Sequence, residues 1–167
     1  MVIAKTVLID MIKKGIVKIT PLKMDQIGPG SIDLSLGNEF RLYPPDSKSI
    51  RVTEGTDFKR YTKKITAEEI IIRPGDFVIG ITKEKIKLPE NICGWLQGRS
   101  RFARLGLTIH MTASFVQPGS ENRQVLEMFN LGPHPLAIKA GERIVQLVLE
   151  RTEGRGKLTG KFKNQVL

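Results

Sequence analysis

Apolar residues recur at two different periods along this chain, and the change of period divides it. Val7, Leu8, Met11 and Ile12 fall at helical spacing and Gly15 follows as a stop, so the pattern predicts a short amphipathic helix over residues 4–14. After that the period shortens to two. In SIDLSLG, Ile32, Leu34 and Leu36 alternate with Ser31, Asp33 and Ser35, as in a half-buried strand. From Arg123 the chain reads R-Q-V-L-E-M-F-N, which sets Val125, Glu127 and Phe129 on one strand face and Leu126 and Met128 on the other. The stretch from Tyr43 to Lys64, with PPDS, EGTD and several charges, reads as an exposed loop or hairpin excursion.

Two segments echo each other. IIIRPGDFVIGIT (70–82) and LAIKAGERIVQLVL (136–149) each place an apolar run, a glycine turn followed by an acid, and a second apolar run in the same order. Each predicts two strands around a turn, at Gly75 or Gly141, whether by duplication or by convergent hairpin chemistry. Many short strands between Gly and Pro signals argue for an all-β protein, a barrel or a jelly-roll-like sandwich. Residues 1–150 read as a single domain. The remainder, RTEGRGKLTGKFKNQVL, is rich in Gly and Lys and reads either as a frayed terminus or as a lid closing over an anionic ligand with Lys161, Lys163 and Gln165.

Composition narrows the chemistry. A chain of 167 residues can bury a substantial core. It holds no long apolar run, and its N-terminus lacks the succession of a signal peptide, so a cytosolic protein without a membrane span is expected. Cys93 is the sole cysteine, which rules out an intrachain disulfide and agrees with a reducing compartment. Cys93, His110 and His134 make a poor zinc set, and the H-x-E with P-C-x-x-C signature of zinc deaminases does not occur. A water activated by this protein would be activated by side chains alone. The net charge of +10 predicts attraction to polyanions, yet the Lys and Arg residues are scattered as on any solvated surface.

One cluster stands out. Arg99-Ser100-Arg101-Phe102-Ala103-Arg104, beside Gly98, puts three guanidiniums and a hydroxyl within six residues. Such a segment can supply bidentate donors to phosphate oxygens, line a nucleic-acid patch, or form an ordinary solvated turn. It is not a Walker loop. Glu127, a carboxylate between apolar neighbours on its own face, is expected to be partly desolvated, which would raise its pKa and suit it to proton transfer. The alternative is a buried ion bridge to an arginine, which would lower it. Trp95 and Cys93 read as core or interface, and His134, between two prolines, as a turn residue.

GRSRFARLGLTIHMTASFVQPG, then VLEMFNLG, then LAIKAGERIVQLVLE, together resemble the core of the dCTP deaminases, a branch of the dUTPase-like superfamily. GPGSIDLSLGNEF is similar to that family's entry strand and GKFKNQ to its closing tail. The resemblance implies a distorted β-barrel with a short N-terminal helix, a homotrimer with active sites between subunits, and a triphosphate bound as its Mg2+ complex, with no zinc. It implies hydrolytic deamination of dCTP to dUTP and ammonia, with Glu127 as general acid/base and Ser100 and Arg104 placing the water. Substrate would be held by Arg99, Ser100, Arg101, Phe102, Ala103 and Arg104. Ala113, Gln117, Val125 and Leu126 would line the base and sugar, and Lys161 and Gln165 would close on the phosphates.

Departures from the family pattern bear on the product. Arg101 stands where a second serine is usual, and Val116-Gln117-Pro118-Gly119 replaces I-D-x-G. In dUTPases the matching aspartate activates the water that attacks the triphosphate, and a glutamine cannot act as a base. Deamination without pyrophosphate release is therefore expected, with a dUTP diphosphatase or a bifunctional enzyme as the alternative. Ser120-Glu121-Asn122 replaces an aromatic residue and a glycine-bearing turn, and the tail is short, which leaves room for a non-catalytic nucleotide-binding protein.

Overall fold

The computed structural model describes residues 1–45, 49–159 and 167. The helical period at the start is realised as α1 (Lys5–Lys13), which buries Leu8 and Met11. It stops at Gly15, whose φ of +67° suits a residue without a Cβ. Beyond it come β1 (Lys18–Thr20), β2 (Ile32–Leu42), β3 (Lys63–Thr66), β4 (Glu69–Ile72), β5 (Phe77–Lys87) and β6 (Ile92–Gly98). A single helical turn, α2 (Ser100–Ala103), precedes β7 (Leu107–Ile109), β8 (Phe115–Val116), β9 (Glu121–Asn130), β10 (Leu136–Lys139) and β11 (Arg143–Arg151). No described helix is long and apolar enough to cross a membrane.

A nine-stranded antiparallel sheet runs in the order β7-β9-β5-β2-β11-β6-β8, with β1 added to β5 and β3 to β2. It curls into a half-barrel, and its inner face is the core. Ile32, Leu34 and Leu36 on β2 are fully buried, as the alternation predicts, and Phe40 extends that face. Leu126 and Met128 of β9 meet it from the other side of β5. Gly80 sits between them, where a Cβ would lie 2.9 Å from the Met128 methyl and 3.1 Å from Leu36 Cδ1. The described residues of 43–64 form an excursion, exposed at most positions, that returns through β3.

The strands flanking Gly75 and Gly141 form, and both glycines have positive φ, but neither pair is a hairpin. β4 pairs with β10, Ile72 facing Leu136 and Ile70 facing Ile138, while β5 and β11 join the large sheet. The two echoing segments therefore pair with each other through their first strands. The Arg73–Asp76 turn, closed by Asp76 N–H to Arg73 O at 2.9 Å, is a corner between sheets. A corner and a hairpin both need a glycine of positive φ, so the local signal does not separate them.

An ionic network ties three strands of the large sheet. Glu39 of β2 accepts from Lys64 of β3 at 2.6 Å and from Arg123 of β9 at 2.5 Å. Lys64 and then Arg123 hold the Glu39 carboxyl below the usual glutamate value. A depressed acid contributes stability that is full above its unfolded-state pKa and is lost as pH falls through its folded-state value. Glu39→Gln is thus expected to flatten the loss of melting temperature with acid below the ordinary glutamate range. Thermal melts across that range check it, and an acid limb identical to the parent's would remove Glu39 as its source.

Candidate active site

Glu127 lies near the middle of β9, facing Ile79 across the β5 ladder. On its other side β7 ends at Ile109, and His110 N–H donates to Glu127 O at 2.9 Å, extending the pairing by one residue. His110 then adopts φ +55°, uncommon for a residue with a side chain. The turn carries its imidazole back over β9, where Nδ1 lies 2.5 Å from Glu127 Oε2. The ring is 6% exposed and the carboxylate side chain 36%. An ionised carboxylate only accepts, so Nδ1 then carries the hydrogen; a protonated Glu127 can donate to Nδ1 instead. The contact survives both charge states of the acid.

The carboxylate opens onto a cleft of about 400 Å³. Beside His110 and Glu127 it is lined by Ala113, Phe115, Val116, Gln117, Ser120, Asn122, Gln124, Val125 and Leu158. Phe115 packs on Trp95 with ring centroids 4.9 Å apart, and the Trp95 indole N–H donates to Glu150 at 3.3 Å. Ser120, Asn122 and Gln124 are buried polar residues. Ser120 Oγ donates to Gln117 O at 2.7 Å, and Gln124 Nε2 donates to Asn122 Oδ1 at 2.5 Å. The cleft lining thus combines a carboxylate and an imidazole with apolar side chains and with neutral hydrogen-bonding ones. Among the described residues no His, Cys, Asp or Glu cluster could hold a metal ion. Burial pushes the Cys93 thiol up, with Glu150 adding to the effect, so it is no ready nucleophile.

The arginine-rich segment lies elsewhere. Gly98 ends β6, Arg99 is extended, and Ser100–Ala103 make the single turn of α2. Gly106, at φ +90°, leads into β7 against the backbone of Gly132, which any Cβ would strike. Arg99 is held within the chain: Nη1 donates to Arg143 O at 2.7 Å and Nη2 pairs with Asp33 at 3.1 Å. Ser100, Arg101, Ala103 and Arg104 are exposed. Phe102 packs back on the core and lines a separate cleft of about 380 Å³ with Leu105, Leu107 and Leu136.

Of the residues singled out from the sequence, Ala113, Gln117, Val125 and Glu127 meet in one cleft, and none of Arg99–Arg104 lines it. Leu126 points into the core with no exposure, so only its backbone can meet a ligand. Lys161 and Gln165 lie outside the described residues. Glu127 is less enclosed than its apolar neighbours suggest, and its partner is His110 and not an arginine, because the cleft opens above β9 and the β7 register delivers the imidazole. The sequence reading missed the His110 side chain, Phe115 and Gln124. The even positions of β9 carried the one available signal for Gln124, a polar residue in line with Leu126 and Met128.

Residues 2–152 match a family model described as dCTP deaminase-like. The chain is 41% identical over 157 residues to a Sulfurihydrogenibium protein named "dCTP deaminase, dUMP-forming", covering 92% of this chain and 87% of that one. It is 38% identical over 168 residues to the Pasteurella multocida "dCTP deaminase", covering 90% and 87%. Among solved structures it is similar to the 2'-deoxycytidine 5'-triphosphate deaminase from Agrobacterium tumefaciens, with a TM-score of 0.71 at 18% identity over 91% of this chain. It spans 48% of that longer chain, and the likeness is one of fold.

Proposed function

Because this chain belongs to the dCTP deaminase-like family, we propose that it hydrolyses dCTP to dUTP and ammonia with Glu127 as the proton shuttle. The observation that carries this reading is the position of Glu127, on the wall of a cleft of nucleoside size with a buried imidazole against its carboxylate. Deamination at C4 needs a proton taken from water, a proton delivered to the ring, and a proton delivered to the leaving amine. One carboxylate that alternates between charge states does all three. His110 keeps the carboxylate oriented throughout, as its contact does not depend on which of the two holds the hydrogen.

The reading requires a second copy of the chain. The arginine-rich segment does not line the cleft of Glu127, and an exposed Ser100 and Arg104 are free to reach a neighbouring chain's cleft. In a homotrimer with sites between subunits, Ser100 and Arg104 of one chain orient the water and steady developing charge beside Glu127 of the next. Arg99 is the exception, since Asp33 and the Arg143 carbonyl already occupy it. The triphosphate enters as its magnesium complex, and the base needs no metal. A cytoplasmic location completes the reading, supported by the lone buried thiol of Cys93.

His110→Asn is expected to lower kcat by about 10- to 100-fold and leave KM within about threefold, because a misplaced catalytic group costs rate before affinity. Steady-state kinetics beside a thermal melt decide it. A lowered melting temperature with kcat unchanged would make His110 merely structural.

The purified protein with magnesium and either dCTP or dUTP tests the main reading, following ammonia and pyrophosphate separately. Ammonia from dCTP without pyrophosphate is expected, since Gln117 cannot serve as the base for attack on the triphosphate. A second reading, direct formation of dUMP, is favoured by the name of the Sulfurihydrogenibium relative. Equal amounts of ammonia and pyrophosphate would establish it. Pyrophosphate from dUTP with no ammonia would make the protein a diphosphatase. No product from either substrate would overturn the enzymatic reading.

A further inference from the structure

The hold on Arg99 reaches well beyond its own segment. Asp33 and the Arg143 carbonyl take its two terminal nitrogens at 3.1 and 2.7 Å, and both partners are themselves braced. Gln26 Nε2 donates to Asp33 O at 2.8 Å and to Glu84 Oε1 at 2.9 Å. Glu84, buried in the sheet, accepts from Ser35 N–H at 2.8 Å with its other oxygen. Arg143 pairs with Asp25 at 2.6 Å, next to Gln26 in the turn Met24–Gln26. β2, β5, β11 and that turn therefore converge on one guanidinium.

The helical turn that follows has little else to hold it. Four residues are too few for a helix to persist by itself, and no side chain caps the start of α2. Between Gly98 and Gly106 only Arg99 and Phe102 are half-buried; the other side chains are exposed. Phe102, packed on the core, fixes where the turn sits, yet a single apolar contact leaves the turn free to swivel about it. Arg99 removes that freedom. Its carbonyl accepts the first bonds of the turn, from Phe102 N–H at 3.0 Å and Ala103 N–H at 3.1 Å, while its side chain is locked to Asp33.

We propose that Asp33 is a positioning residue for the deamination: through Arg99 it sets the direction in which α2 presents Ser100 and Arg104. The proposal rests on the reading above, in which those two side chains act in a neighbouring chain's cleft. Asp33 touches neither substrate nor water. Without its charge the Arg99 guanidinium, 19% exposed, loses its ionic partner and α2 loses its fixed heading.

Amide hydrogen exchange on Asp33→Asn tests the structural half without reference to activity. Exchange at Phe102–Gly106 is expected to quicken about tenfold or more while the sheet strands keep their protection. Unchanged exchange there, or a rise spread evenly over the strands, would overturn the proposal. Asp33→Asn combined with Arg99→Gln leaves neither charge unpaired, so it keeps the test open should the single variant fold poorly, and the same local loss is expected of it. In kinetics Asp33→Asn is expected to lower kcat for ammonia release from dCTP about 10- to 100-fold with KM within about threefold. Retention of kcat would overturn the functional half.

Mixed oligomers then separate positioning from general support. Asp33→Asn chains co-refolded with Glu127→Gln chains are expected to regain about a quarter of wild-type activity, because an intact α2 from one meets an intact Glu127 from the other. Asp33→Asn chains mixed with Arg104→Ala chains are expected to stay at a few per cent, since both are damaged at α2. The reverse pattern would place the action of Asp33 at its own chain's cleft, and recovery in neither mixture would make it a support of the fold; both overturn the proposal. If Glu127→Gln and Arg104→Ala chains themselves fail to complement, the reading of sites between subunits falls, and the exchange and kcat results still decide the role of Asp33.

Discussion

Glu127→Gln is expected to lower kcat for ammonia release from dCTP by about 10³-fold while changing nucleotide affinity by less than about threefold. The amide has the shape of the acid and can keep the contact to His110, donating through nitrogen or accepting through oxygen, so the cleft keeps its form. It has no ionisable proton. Water attack then lacks the carboxylate as its base, and the leaving amine lacks it as its acid. Single-turnover ammonia release beside calorimetric binding of dCTP separates chemistry from affinity. Retention of kcat within about tenfold would mean that the proton moves elsewhere, and Glu127 would be reduced to the partner that holds His110 in its turn.

Mixing Glu127→Gln chains with Arg104→Ala chains, each inactive alone, is expected to restore about a quarter of wild-type activity. A site between subunits takes Glu127 from one chain and Arg104 from its neighbour. In a random equal mixture each required chain is present with probability one half, so about one site in four is intact. The Arg104 side chain is exposed, and its removal leaves no cavity or buried unpaired group, so the loss it causes is a loss of chemistry. Co-refolded mixtures assayed for ammonia give the answer. Mixed oligomers that form and stay inactive would show that both groups act within one chain, against the separation of α2 from the cleft.

Much of the architecture could be read residue by residue. The helix appears from Val7, Leu8, Met11 and Ile12 because burial on one face of a helix leaves its mark every three to four residues. β2 and β9 appear from their alternation for the same reason at a period of two, and the structure puts the Leu126 and Met128 face of β9 on the core side. The errors share one cause. Arg73-Pro-Gly-Asp and its echo at Gly141 have the chemistry of a tight reversal, and the chain does turn there, but the partners of β4 and β10 are each other across more than sixty intervening residues, as in Ile72 to Leu136. Nothing local to either turn encodes that choice.

The site divides along the same line. The sequence by itself determined that a carboxylate at 127 would share a strand face with Val125, that cations and a hydroxyl would crowd residues 99–104, and that a glutamine would stand at 117, because these are properties of neighbouring residues and their spacing. The tertiary structure decided that the carboxylate meets His110, that none of Arg99, Arg101 and Arg104 lines its cleft, and that Gln117, Ser120, Asn122 and Gln124 all line it. Those outcomes follow from the register of β9 against β5 and β7, from the pairing of β8 with β6, and from the path of the chain through Gly106, contacts between residues far apart along the chain that form only when the whole sheet closes.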